Sequence, residues 1–214
     1  MSMNESQFLD NLANDLKPNR FWSPVTRSML FIVFLFVSNL AVLLYEQGFR
    51  PGFVGELSSH PRFLLELLTS FSIIICCIYF TFISFVPGFK SSPWMKYLAY
   101  ASVALFGLCL YLSFQSAAPE STFAGARHNC RDEVFLYSFI GLFVFSFFAF
   151  RSAYPTHKWG YLFMGISSAM VSGTIMQIAC MYSPMHALDH HYGPALLVAT
   201  IVGITLPWIK SRSH

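Results

Sequence analysis

The sequence predicts an all-α integral membrane protein with six transmembrane helices, both termini on the cytoplasmic side, and a short N-terminal amphipathic helix ahead of them. Three observations carry this. Of 214 residues only 11% are charged, against about 25% in an ordinary soluble domain. Mean hydropathy is +0.55 and 55% of the residues are hydrophobic. The apolar residues gather into runs that approach the roughly 20 residues a helix needs to cross about 30 Å of hydrocarbon.

The first element spans Asn4 to Leu16, with Phe8, Leu12 and Leu16 at i, i+4 and i+8 and Leu9 and Ala13 beside them. Asn4 followed by Gln7 makes an N-cap pair, and Lys17-Pro18 stops the helix. Its polar face carries Glu5, Asp10 and Asp15 with no basic residue before Lys17, whereas a helix lying on an anionic bilayer would carry Lys and Arg there. Two readings stand: docking into a protein groove through Phe8, Leu9, Leu12, Asp15 and Leu16, or packing on the protein's own helices. No cleavable secretory pattern precedes the first apolar run, so that run is expected to be retained. Residues 1–26 form the cytoplasmic helix and linker, and residues 27–210 the transmembrane domain.

The six runs are Met29 to Tyr45, Phe63 to Val86, Trp94 to Ser113, Val134 to Phe150, Trp159 to Cys180 and Tyr192 to Ile209. Orientation follows from the basic residues. With the N-terminus inside, nine lie on that side (Lys17, Arg20, Arg27, Lys90, Lys96, Arg151, Lys158, Lys210, Arg212) and four on the other (Arg50, Arg62, Arg127, Arg131). The outer side then holds seven of the ten carboxylates and five of the seven histidines. Within the runs, Cys76, Cys77 and Cys109 read as packing residues, because buried Cys behaves as a small hydrophobe. Gly165, Ala169 and Gly173, four apart, permit close helix contact, and Gln177 one turn on reads as interhelical hydrogen-bonding glue. Glu66 has Arg62 as a ready i,i+4 partner.

Chemistry concentrates in the outer loops, 116–133 and 181–191. The stretch Cys180-Met181-Tyr182-Ser183-Pro184-Met185-His186-Ala187-Leu188-Asp189-His190-His191 gathers a thiol, two thioethers, three imidazoles and a carboxylate. Pro155, in the short loop joining the fourth and fifth runs, lies 25 residues after Cys130 and 25 before Cys180. Equal lengths on both arms of a helical hairpin put the two cysteines at equal depth. A disulfide needs Cα atoms about 4.4 to 6.8 Å apart and packed helix axes stand about 8 to 10 Å apart, so closure is expected to require a shift of the Cys130 loop. A metal ion relaxes that requirement with two bonds of about 2.3 Å. Cys130, Cys180, His186 and His190, with His128, Met181, Met185 and His191 as further donors, form a soft S/N set suited to a copper-, zinc- or cadmium-type ion. Such an ion would be regulatory, and no cofactor is obligatory. A static disulfide and interfacial surface histidines are the plain alternatives.

Catalysis has little support: there is no G-x-S-x-G, no H-E-x-x-H and no phosphate-binding loop. A thiol-disulfide oxidoreductase would be expected to show C-x-x-C, which is absent. A metal permease would want polar groups near the bilayer midplane, where Phe, Leu, Ile, Val and Ala dominate instead. A signal transducer with an outer chemical switch and an inner helix fits better than either.

The segment Phe8-Leu9-Asp10-Asn11-Leu12-Ala13-Asn14-Asp15-Leu16-Lys17-Pro18 followed by Ser23-Pro24, the stretch His60-Pro61-Arg62-Phe63-Leu64-Leu65-Glu66-Leu67-Leu68-Thr69, and the two cysteines Cys130 and Cys180, the latter in Cys180-Met181-Tyr182-Ser183-Pro184-Met185-His186, together resemble the NrsF-type six-transmembrane anti-sigma factors. The resemblance implies a multi-pass protein of the bacterial inner membrane, not an enzyme, that holds an extracytoplasmic-function sigma factor through its cytoplasmic portion. Its partners would be that sigma factor and the lipid bilayer, with no direct nucleic-acid contact. Release would follow heavy-metal or oxidative stress sensed at Cys130 and Cys180.

Overall fold

The computed structural model describes residues 23–46, 48–59, 61–84, 92–115, 129–151, 158–180 and 183–212. Among these there is helix and no strand. The N-terminal amphipathic helix and its docking residues Phe8, Leu9, Leu12, Asp15 and Leu16 lie outside the described residues, as do His128 and Met181. Eight α-helical elements follow in order. They are α1 (Pro24–Glu46), α2 (Phe53–Ser59), α3 (Pro61–Ser84), α4 (Pro93–Gln115), α5 (Cys130–Arg151), α6 (Lys158–Ala179), α7 (Pro184–His186) and α8 (Gly193–Arg212). Between α7 and α8, Ala187–Tyr192 forms a π-helical turn.

Among the described residues, four segments are long and apolar enough to cross a membrane: Val25–Tyr45, Pro61–Ser84, Pro93–Leu112 and Trp159–Ala179. This makes the chain a membrane protein. The segments differ in how much of themselves they hide. Trp159–Ala179 is 78% buried and Pro93–Leu112 only 17%, so α6 is the centre of the bundle and α4 its periphery. Helices α5 and α8 run 22 and 20 residues.

Helix starts are set by proline and by caps more than by hydropathy. Helix α1 begins five residues before the apolar run, because Pro24 takes the first helical position and the Ser23 hydroxyl oxygen accepts the Thr26 N–H at 3.1 Å. Pro61, Pro93 and Pro184 likewise stand first in α3, α4 and α7, with no side-chain cap at Ser183. Helix α5 starts at Cys130 and not at Val134, since Asp132 and Glu133 suit the positive end of a helix dipole. Residues 184–191 were expected as loop and are helical. The short α2 was also not expected; its Phe53 ring meets Phe63 edge-on at 6.0 Å.

The row Gly165, Ala169 and Gly173 is where α6 lets its neighbours approach. A Cβ on Gly165 would stand 2.8 Å from the Ala199 carbonyl oxygen of α8, and one on Gly173 would stand 3.0 Å from the Tyr192 ring. On the α5 side, the Ser138 and Ser172 hydroxyls share a hydrogen bond of 2.7 Å. Phe31, Phe82 and Phe145 bind α1, α3 and α5 together, the closest pair of rings being 3.9 Å apart at their centroids. Cys76, Cys77 and Cys109 are buried, as expected of packing residues.

Gly165→Leu should therefore lower stability by about 1–3 kcal/mol or more, because the obstacle is backbone and cannot move aside. Thermal unfolding in detergent reads this. Gly55→Ala, where a Cβ meets nothing within 4 Å, is the matched control and should leave the midpoint unchanged or slightly raised.

Candidate functional site

Cys130 is the first residue of α5 and Cys180 directly follows the last residue of α6. Their sulfurs lie 2.8 Å apart and both residues are buried. The equal arms of the α5–α6 hairpin thus bring the thiols together. An S–S bond measures about 2.05 Å, so about 0.8 Å separates the observed contact from it. Tetrahedral ligation with metal–sulfur bonds of about 2.3 Å would hold the sulfurs roughly 3.8 Å apart. The contact therefore lies between the two bonded geometries.

Imidazoles enter from the turn that follows. His186 Nε2 lies 3.3 Å from the Cys180 sulfur. The ligand atoms of Cys130, Cys180, His186 and His191 all fall within 4.8 Å of one another. His190, placed among the first-choice donors from sequence, is not one of the four; its ring stacks on His186 at 4.4 Å and is exposed. His191, ranked lower, faces inward at 0% exposure with its ring edge-on to His186 at 5.1 Å. The reason is local. An α-helix pairs residues four apart, but the Gly193 N–H reaches back to the Leu188 carbonyl, and an i→i+5 bond places residues five apart above one another. Gly193 permits this because a Cβ there would stand 2.9 Å from that carbonyl oxygen. Burial holds the His191 imidazole below its ordinary pKa, with the Cys180 sulfur beside it working in the opposite direction. The ring is therefore neutral near pH 7 and keeps a lone pair. Met185, in α7, is half-buried.

Sequence reasoning missed Arg50, counted there only as a basic residue for orientation. The α1–α2 turn, bounded by Gly48 and Gly52 at φ of 72° and 81°, carries it into the bundle. Its guanidinium donates to the Cys180 carbonyl at 2.7 Å and the Gln177 carbonyl at 3.3 Å, and lies 4.9 Å over the Phe63 ring. It thus caps the C-terminal end of α6, where cations are favoured. The positive-φ glycines flanking Arg50 were the available signal.

One turn deeper, Gln177 holds a second group of polar side chains. Its amide donates to Glu66 Oε2 at 2.7 Å, and its carbonyl oxygen accepts the Tyr192 hydroxyl at 2.5 Å. Glu66 Oε1 accepts from Arg62 Nε at 3.0 Å, and Ser70 shares a hydrogen bond with Tyr192 at 3.1 Å. Glu66 is thus the partner both of Arg62, as the spacing implied, and of the central helix.

A family model described as negative regulator of sigma F matches residues 12–209. The chain belongs to the NrsF family. Comparison with curated proteins and with solved structures gave no match. The family's description is that of a negative regulator of a sigma factor, so this NrsF-family member is a regulator whose partner is a sigma factor. The matched stretch takes in Leu12 to Leu16, both cysteines, and the Glu66–Gln177–Tyr192 group.

In this family member, Gln177→Leu should lower stability by about 1–3 kcal/mol, since it takes one hydrogen-bond partner from Glu66 and one from the Tyr192 hydroxyl, both buried. Chemical denaturation in mixed micelles measures it. Thr200→Ala, which removes an exposed hydroxyl bonded only along its own helix, should change stability by less than about 0.5 kcal/mol.

Proposed function

We propose that this protein is a six-span anti-sigma factor of the bacterial inner membrane, with both termini in the cytoplasm. Its N-terminal segment, residues 1–26, holds an extracytoplasmic-function sigma factor. Heavy-metal or oxidative stress reaches the Cys130–Cys180 pair from the periplasm and ends that hold. The observation that carries the reading is the buried 2.8 Å contact between two thiols from different helices, close enough for one chemical event to engage both. Oxidation would pass two electrons to an external quinone or disulfide acceptor, release two protons and join the sulfurs. Burial keeps protein-sized thiols from the pair, which speaks against a general oxidoreductase, while half-buried His186, 3.3 Å from the Cys180 sulfur, connects it to the surface. Orientation rests on the nine-to-four division of basic residues.

Replacing Cys130 and Cys180 together with Ser should preserve membrane insertion and sigma-factor retention but remove the response to metal and oxidant. A reporter driven by the released sigma factor reads this, and an undiminished response in the double variant would sink the reading.

At the other end, Leu12→Asp places a charge on the apolar face of the N-terminal helix. The expected outcome is constitutive reporter activity and loss of the sigma factor from pull-downs of the tagged protein. Retention at the wild-type level would remove that face from the mechanism.

A further inference from the structure

Besides the thiol pair, the structure contains a buried imidazole. Neither ring nitrogen of His191 has a nitrogen or oxygen hydrogen-bond partner among the described residues, although a buried polar group normally has one; what the ring meets is the Cys180 sulfur. The ring lies in a π-helical turn, Ala187–Tyr192, a departure from α-helical closure that recurs at functional sites. It points at two sulfurs and a second imidazole, and the four ligand atoms converge within 4.8 Å.

We propose that Cys130, Cys180, His186 and His191 form a closed four-coordinate site for a divalent soft cation of the zinc–cadmium class. Two thiolates and two neutral imidazoles are a donor set these ions take with tetrahedral geometry. Four protein ligands leave no open position, so the site reports occupancy and does no chemistry on a substrate. Each thiol gives up its proton to the solvent when it ligates the cation. It also requires the sulfurs to part from 2.8 Å to about 3.8 Å. Ser183-Pro184 starts the turn and Gly193 ends it, so His186 and His191 are held five residues apart on one face. His190 lies outside the donor set and serves as an internal control. What loading does to the sigma factor rests on the reading of the Cys pair as the sensor; binding itself does not.

The test uses the purified full-length protein in nanodiscs, titrated with Cd²⁺ and followed by thiolate-to-cadmium charge-transfer absorbance and by proton release. One Cd²⁺ per chain with two protons released is expected. Loss of an outer-shell partner of a metal ligand weakens binding by about 10–100-fold, so His191→Gln should weaken it by more than that, whereas His190→Gln should bind as the wild type does. The proposal is overturned if His191→Gln binds like the wild type or if His190→Gln is the weaker of the two. Should His191→Gln fail to fold, His191→Cys decides: a third thiolate should add charge-transfer intensity, and an unchanged spectrum counts against the site. The two readings also fail separately. Wild-type protein that takes up no Cd²⁺ while the double serine variant loses its stress response removes the site and leaves the sensor. Stoichiometric binding in a protein whose double serine variant still responds removes the sensor and leaves the site.

Discussion

The arrangement depends on one buried amide. Between helices in a bilayer the lipid is as apolar as the side chains, so association relies on close packing and interhelical hydrogen bonds. The Gln177 side chain supplies two such bonds, to Glu66 on α3 and to Tyr192 on the π-helical turn. Its backbone carbonyl accepts from Arg50. Three segments distant in sequence are therefore referenced to one residue of the central helix. Because Gln177 is less than one turn from Cys180, whatever fixes the amide also fixes the depth of the thiol.

The π-helical turn converts that reference into a connection. His191 and Tyr192 are adjacent, both are buried, and they enter different groups: His191 faces the sulfurs and Tyr192 bonds to Gln177 and Ser70. In an ideal α-helix, neighbours diverge by about 100°, and only one would normally face the core. Here a rotation of the turn that moved His191 toward or away from the sulfurs would also carry the Tyr192 hydroxyl relative to Gln177. A small event among four donor atoms thereby has a path into the packing of α3, α6 and α8.

Much of this was legible in the residues. Charge depletion and apolar runs gave helical segments, the Pro155 symmetry brought Cys130 and Cys180 together, the Gly165–Ala169–Gly173 row gave close packing, and Gln177 proved to be the expected glue. What was not legible has physical causes. Residues 181–191 were read as a loop, where spacing does not say which imidazoles share a face; the i→i+5 turn that forms there pairs His186 with His191. No pattern in Ala187–Tyr192 announces it except Gly193, whose missing Cβ could equally have marked a turn. Arg50 was hidden for a related reason: a cation in a loop reads as a surface charge unless its backbone, here between two positive-φ glycines, is known to fold inward. Hydropathy likewise set α5 at Val134, because the charges that favour the start of a helix subtract from an apolar run.

The sulfur contact constrains how a signal at this end could travel. From 2.8 Å, oxidation would draw the sulfurs together by about 0.8 Å, whereas a tetrahedral cation would push them apart by about 1 Å. The two stimuli would therefore displace the start of α5 in opposite directions relative to Cys180. Helix α5 cannot follow either displacement as a rigid rod without breaking the Ser138–Ser172 hydrogen bond and the approach of Gly141 to Ser168, where a Cβ would stand 2.8 Å from the hydroxyl oxygen. Those contacts lie two to three turns below Cys130 and are backbone-close. The compliant part is instead the segment from Cys180 to Tyr192, which is held by the Arg50 cap, the sulfur contact to α5, the Tyr192 hydroxyl and the packing of the Tyr192 ring on Gly173. If both stimuli lead to one output, the common element is departure of that segment from its resting position, in either direction, with Gln177 left short of one partner.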